Sequence, residues 1–192
     1  MKTSRLLLLS AMTTTLALAN PYESKEEELA SVIETGKKAS MTLLKTLGSN
    51  LKKHMKAEGP IAAAQFCMTS AYPLTDKVDA DFGKDVSIKR ISLKYRNPAN
   101  KPDTGEAKVL ESLQILQDQN VILPQYLVEE INKDTYKYYK PLSVNKGVCL
   151  KCHGNIKNDK LASMIKESYP EDRATGYKMN DLRGAIVVTV KK

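Results

Sequence analysis

The sequence has no tryptophan, two phenylalanines, two histidines and three cysteines among its 192 residues. Nine tyrosines therefore carry most of the aromatic surface. A four-ligand structural zinc site would consume nearly every Cys and His in the chain. There is no internal repeat, no low-complexity tract, and no kinase or methyl-accepting segment, so any signalling needs a separate partner. Charge of one sign does not dominate: 30 basic residues face 22 acidic ones, for a formal +8. The lysines are scattered (Lys37-Lys38, Lys52-Lys53, Lys137, Lys140, Lys151, Lys157, Lys160) rather than gathered into a stripe. They read as a solvated surface that can steer an acidic partner, not as a nucleic-acid interface. The length suits one domain with a sizeable core.

Long apolar runs are also missing. Leu6 to Leu18 is the most apolar stretch, but Ser10 and Thr13–Thr15 interrupt it. It falls short of the about 20 apolar residues that a membrane span requires. Lys2 and Arg5 precede it, and Ala17-Leu18-Ala19 offers a small-residue cleavage site before Asn20. Residues 1–19 are thus expected to be a signal peptide, leaving an exported, periplasm-type protein with no stable membrane anchor.

The rest of the chain divides into a long helix at 20–58 and a domain at 59–192. Val32, Ile33, Leu43, Leu44, Leu47, Leu51 and Met55 are mostly three or four apart, which predicts a helix over 24–58. Ser24 with Glu27 resembles a capping box, and Gly59-Pro60 is the stop. The stripe serves either the core or a homodimer, although Gly36 and Gly48 weaken the second use. Pro60 can open a second helix reaching about Ala71. A strand is expected over 85–94, with a change of phase between Ile88 and Ile91 marking a bulge or strand end. A helix over 103–118 capped by Asp103 or Thr104 follows, then a hairpin about Asn132-Lys133-Asp134. A short helix at 159–168 and a strand at 182–190 complete the chain. This order favours an α+β fold built on an antiparallel sheet.

Cys149-Leu-Lys-Cys152-His153 carries the chemistry. Two cysteines three apart share one side of a helical turn, so each thiol can add to one haem vinyl group. The adjacent His153 then supplies an axial nitrogen. The single C-x-x-C-H predicts one covalent haem c. A redox-active C-x-x-C would want a thioredoxin-like βαβ setting, which this order lacks.

The opposite axial ligand stays open on these grounds. His54 lies at a lysine-rich helix end. Met68, Met164 and Met179 are possible ligands but equally core filler. Cys67 is the odd thiol left after haem attachment, set in the stretch Ala62-Ala63-Ala64-Gln65-Phe66-Cys67, whose small residues would let a flat macrocycle approach. An inert buried cysteine explains it equally well. Arg90 and Arg96 are candidates for haem propionate partners or for braces of the loop between them and Asp103.

A family resemblance narrows this choice. Its residues are the alanine-rich helix with Cys67, then Arg90-Ile-Ser-Leu-Lys-Tyr-Arg96-Asn97-Pro98, Pro102-Asp103 and Glu106. Tyr139-Lys-Pro141-Leu142, Cys149-Leu-Lys-Cys152-His153-Gly154 and Tyr169-Pro170 follow. Asp172, Ala174-Thr-Gly176-Tyr177 and Leu182-Arg183-Gly184-Ala185 complete the set. Over most of residues 60–190 the chain resembles the extracytoplasmic PAS-like c-type haem domains. These were long catalogued as a domain of unknown function and are found alone or fused to membrane sensor proteins. The resemblance implies a PAS-like antiparallel sheet with flanking helices, haem on Cys149 and Cys152, axial His153, and Cys67 as the distal ligand. Electron transfer or redox sensing with an unknown redox or signalling partner is then the expected role. Gas sensing by ligand exchange is the alternative, and a haem peroxidase a more distant one.

Overall fold

The computed structural model describes residues 21–192, so the expected signal segment lies outside the described residues. The element order is α1 (Pro21–Thr69), α2 (Ala71–Ala80), β1 (Val86–Ile91), a 3-10 turn (Pro98–Asn100), α3 (Thr104–Asp118), β2 (Leu127–Asn132), β3 (Thr135–Ser143), α4 (Gly147–His153), α5 (Asp159–Ser168) and β4 (Leu182–Lys191). The four strands form one antiparallel sheet in the order β1-β4-β3-β2. The fold is α+β with a long N-terminal helix, as the hydrophobic pattern predicts. Among the described residues no helix is long and apolar enough to cross a membrane.

β4 is central, and its run Ala185–Val188 is apolar on both faces because both faces are covered. Ile186, Val188 and Val190 join Ile88, Tyr136 and Tyr138 beneath Val32, Ala39 and Leu43 of α1. Ala185 and Val187 join Ile91 and Tyr139 against Leu110 and Leu113 of α3 on the other side. The phase change within β1 has the same cause. Ile88 faces α1 and Ile91 faces α3, and pairing with β4 runs unbroken from Val86 to Ile91, so no bulge is needed. The apolar stripe of α1 packs on this chain's own sheet. Gly36 belongs to that contact, since a Cβ there would fall on the ring of the fully buried Tyr138. The glycine that weakens a dimer face is what lets helix and sheet approach closely.

Three boundaries differ from expectation. α1 already includes Pro21, so Ser24 lies within its first turn rather than capping it. The helix stop at Gly59 is a kink: Gly59 has φ 79° and ψ −162°, a region only glycine occupies freely, and Pro60 opens a second helical segment to Thr69. The bend is sharp enough that His54 stacks on Phe66, with ring centroids 5.0 Å apart. Finally, α2 follows at once. It had no counterpart in the sequence pattern because its buried face, Ala71, Thr75 and Val78, is only weakly apolar.

The cap of α3 is Asp103, in a full reciprocal box with Glu106. Asp103 Oδ1 accepts the Glu106 N–H at 2.8 Å, and Glu106 Oε2 accepts the Asp103 N–H at 3.0 Å. Glu106 is fully buried, held by Lys89 at 2.8 Å and Lys137 at 3.0 Å. The Glu106 N–H, followed by Lys137, holds the Asp103 carboxyl down to about 2 from its ordinary 3.8. A depressed folded-state value stabilises the fold above the ordinary value, and that stability is lost as pH falls. Stability should therefore drop by at most about 1 kcal/mol between roughly pH 4 and pH 2, the carboxylate being half exposed. Asp103→Asn, which keeps a capping oxygen without the charge, should flatten that step in urea titrations across this window; an unaltered step would refute the assignment.

Candidate haem site

The site lies at one end of the sheet, where β1 and β3 leave and β4 enters. β3 runs through Val144 into α4, and Val144 is pinned by backbone bonds to Asn180 and Asp181 just before β4. α4 is a single short helix carrying Cys149, Cys152 and His153, all half-buried. Cys149 packs beside Val144, Ala174 and Tyr177. Cys152 packs beside Ala64 of α1 and Leu161 and Ile165 of α5. The helical turn thus holds both thiols on neighbouring faces, with the histidine at its end.

His153 is fixed from three directions. Its Nδ1 lies 2.9 Å from the Ala174 carbonyl. A carbonyl only accepts, so Nδ1 carries the proton and Nε2 keeps its lone pair. The Tyr177 N–H donates to the His153 carbonyl at 2.9 Å, and the Tyr177 ring meets the imidazole edge-on with centroids 6.3 Å apart. Burial, then the nearby Arg183 and Arg96 cations, pushes the imidazole down to about 3. The ring is therefore neutral at physiological pH, the state in which it can ligate a metal.

Cys67 sits in the segment beyond the Gly59 kink, within electrostatic reach of Cys152, Arg90 and Arg96. Its side chain is open to solvent on one side, yet surrounding protein desolvates the sulfur and pushes the thiol up to about 11. The two cations act in the opposite sense. Tyr169 lies beside Cys67, Arg90 and Arg96, and a cavity of about 350 Å³ opens next to it, lined by Arg96, Pro98, Ser168, Tyr169, Pro170 and Glu171.

Three of the four other ligand candidates are engaged by the protein. Met68 and Met164 fill the apolar cluster between α1 and α5. His54 stacks on Phe66, and Met179 is exposed. The alanines are not a bare platform: Ala62, Ala63 and Ala64 are already buried under protein. Their small size serves helix packing. Among the described residues no three His, Cys, Asp or Glu side chains converge as a metal cage, which disfavours the four-ligand zinc arrangement.

The family model described as Tll0287-like matches residues 12–191. The chain belongs to the Tll0287-like family. It is also similar to a solved structure, described as the crystal structure of the cyanobacterial heme-protein Tll0287, at 25% identity and a TM-score of 0.60. That match covers 91% of this chain and 98% of the other. Among curated proteins, none matches.

For this Tll0287-like chain, the donor set can be tested against haem from its own residues. The Nε atoms of Arg90 and Arg96 are buried without a partner in the protein, as is that of Arg183. Arg90 projects from β1 on the α1 side, beside Cys67 and Tyr169, where its guanidinium is desolvated. It suits a carboxylate or thiolate of a bound group. Arg96 is spent differently: its Nη2 donates to the Cys152 carbonyl at 2.7 Å and the Ala174 carbonyl at 3.2 Å, and it pairs with Asp172 at 3.1 Å. These contacts tie it to α4 and to the segment before β4, rather than to the loop running to Asp103. A short helix carrying two cysteines, a neutral histidine with a free Nε2 and a thiol beside a desolvated cation fit haem. Asp172, Ala174, Tyr177 and Arg183 surround His153, yet the sequence motif gave them no individual role. Their only signal was their place in the family pattern.

Proposed function

We propose that this chain is an exported monohaem c-type cytochrome with a PAS-like fold. It would hold haem covalently through Cys149 and Cys152, with His153 and Cys67 as the side chains that would ligate the iron, and act in electron transfer or redox sensing. The observation that carries this reading is the His153 Nδ1–H bond to Ala174, which leaves Nε2 free on the helix bearing both cysteines. The description of the similar structure as a heme-protein supports the cofactor. Bound haem supplies one-electron chemistry. The residues orient the imidazole, desolvate the sulfur and set fixed cations around it. A non-enzymatic role is favoured because His54, the spare histidine that could serve as a distal acid–base group, is stacked on Phe66.

One observation favours ligand exchange as a second reading. The surroundings of Cys67 oppose the thiolate, so protonation and release on reduction would be easy. Absorption and electron paramagnetic resonance spectra of the ferric protein test the first reading: low-spin, thiolate-type signals are expected, and five-coordinate, His/Met or His/His signals would overturn it. Carbon monoxide binding by the reduced protein separates the two roles, since a carrier that keeps Cys67 gives none and a ligand-switching sensor binds it.

A further inference from the structure

We propose that the Arg96–Asp172 ion pair sets how strongly His153 donates to a metal, acting through the Ala174 carbonyl. Arg96 is then a positioning residue on the histidine side, an inference that rests on haem attachment at Cys149, Cys152 and His153.

Three residues close a ring. Asp172 Oδ1 accepts the Ala174 N–H at 2.8 Å. The Ala174 carbonyl accepts Arg96 Nη2 at 3.2 Å. Arg96 Nη2 returns to Asp172 Oδ2 as an ion pair at 3.1 Å, with side chains only 13% and 10% exposed. Burial keeps this pair from being screened away by salt. The same nitrogen donates to the Cys152 carbonyl at 2.7 Å, so the ring is tied to the attachment helix one residue before the histidine.

The ring matters because the Ala174 carbonyl has a second donor. Its two lone pairs take both Arg96 and the His153 Nδ1–H, the latter at 2.9 Å. A cationic donor draws electron density from the oxygen and makes it a poorer acceptor for the other donor. A poorer acceptor leaves the imidazole with less imidazolate character, and the hydrogen-bond partner of a ligating histidine tunes its basicity in this way. Asp172 opposes the effect by neutralising Arg96. The pair is thus a balance, cation weakening and anion restoring the donor strength of His153. Arg183, with its guanidinium carbon 5.3 Å from the Tyr177 ring centre, adds a cation on the same side but has no bond to this carbonyl.

The test uses the full-length haem-loaded protein and two variants. Haem content from the pyridine haemochrome spectrum comes first; a wild-type protein without covalent haem defeats the reading on which this rests. With haem present, Arg96→Gln should lower the midpoint potential and move the His153 Nδ1 proton downfield in the reduced, diamagnetic protein. Asp172→Asn should do the reverse, because Asn keeps an oxygen for the Ala174 N–H and removes only the charge. If Arg96→Gln fails to fold, Asp172→Asn alone decides. A Nδ1 proton that stays in place overturns the proposal, whether the potential moves, as from a plain field effect, or stays as well.

Discussion

Replacing Cys149 and Cys152 together by alanine should leave a chain with no covalently bound haem. In denaturing gels stained for haem the band disappears, and the intact mass falls by one haem beyond the two sulfur atoms. The effect is all-or-none because each thioether needs its own thiol, and both thiols sit on the one short helix Gly147–His153. Single variants should keep one thioether at reduced yield. The folded core should outlast the change better than the cofactor does. Cys149 and Cys152 lie at the margins of two small clusters, whereas the large clusters on both faces of the sheet contain neither. Far-ultraviolet circular dichroism that stays native while the haem signal vanishes is the expected pair of results. A double variant that still carries covalent haem would refute attachment at this turn.

Local chemistry was the legible part of this protein. Asp103 and Glu106 stand three residues apart, and the capping box is set by residues that touch each other in the chain. The split of Tyr136 and Tyr138 from Tyr139 onto opposite faces is local too, since side chains alternate along a strand whatever it packs against. C-x-x-C-H was readable for the same reason. What escaped was long-range. Glu106 stands at the third position after its cap, and nothing local says that it is fully buried between Lys89 and Lys137. Arg96 was open to two uses, and nothing local points to the Cys152 and Ala174 carbonyls, 56 and 78 positions away. Gly36 looked like a weak point of a helix until Tyr138, on a strand a hundred residues later, occupied the space beside it. The alanines near Cys67 are ambiguous for a like reason: small residues permit close approach, and nothing local announces that Ala64 packs against helix α5.

Cys67→Ser should change the absorption spectrum of the ferric protein and raise its reduction potential. A thiolate opposite histidine donates density to ferric iron and favours it over ferrous, so its loss shifts the balance toward the reduced state. Axial-ligand identity spans about 0.8 V among haem proteins, and a rise on the order of 0.1 V is expected here. The surroundings of Cys67 sharpen the prediction. Without a metal, burial holds the sulfur as a thiol, pushed up to about 11 despite Arg90 and Arg96. Coordination to a metal would deprotonate the Cys67 thiol, and the two nearby cations would then face an anion. Arg90, buried with an unpartnered Nε, gains the most from that charge. Arg90→Gln should therefore raise no barrier to haem attachment but should weaken retention of Cys67, seen as a larger fraction of carbon monoxide-binding protein on reduction. Retention of the wild-type ferric spectrum by Cys67→Ser would remove the thiolate from the site, and with it the reason for setting two arginines beside this sulfur.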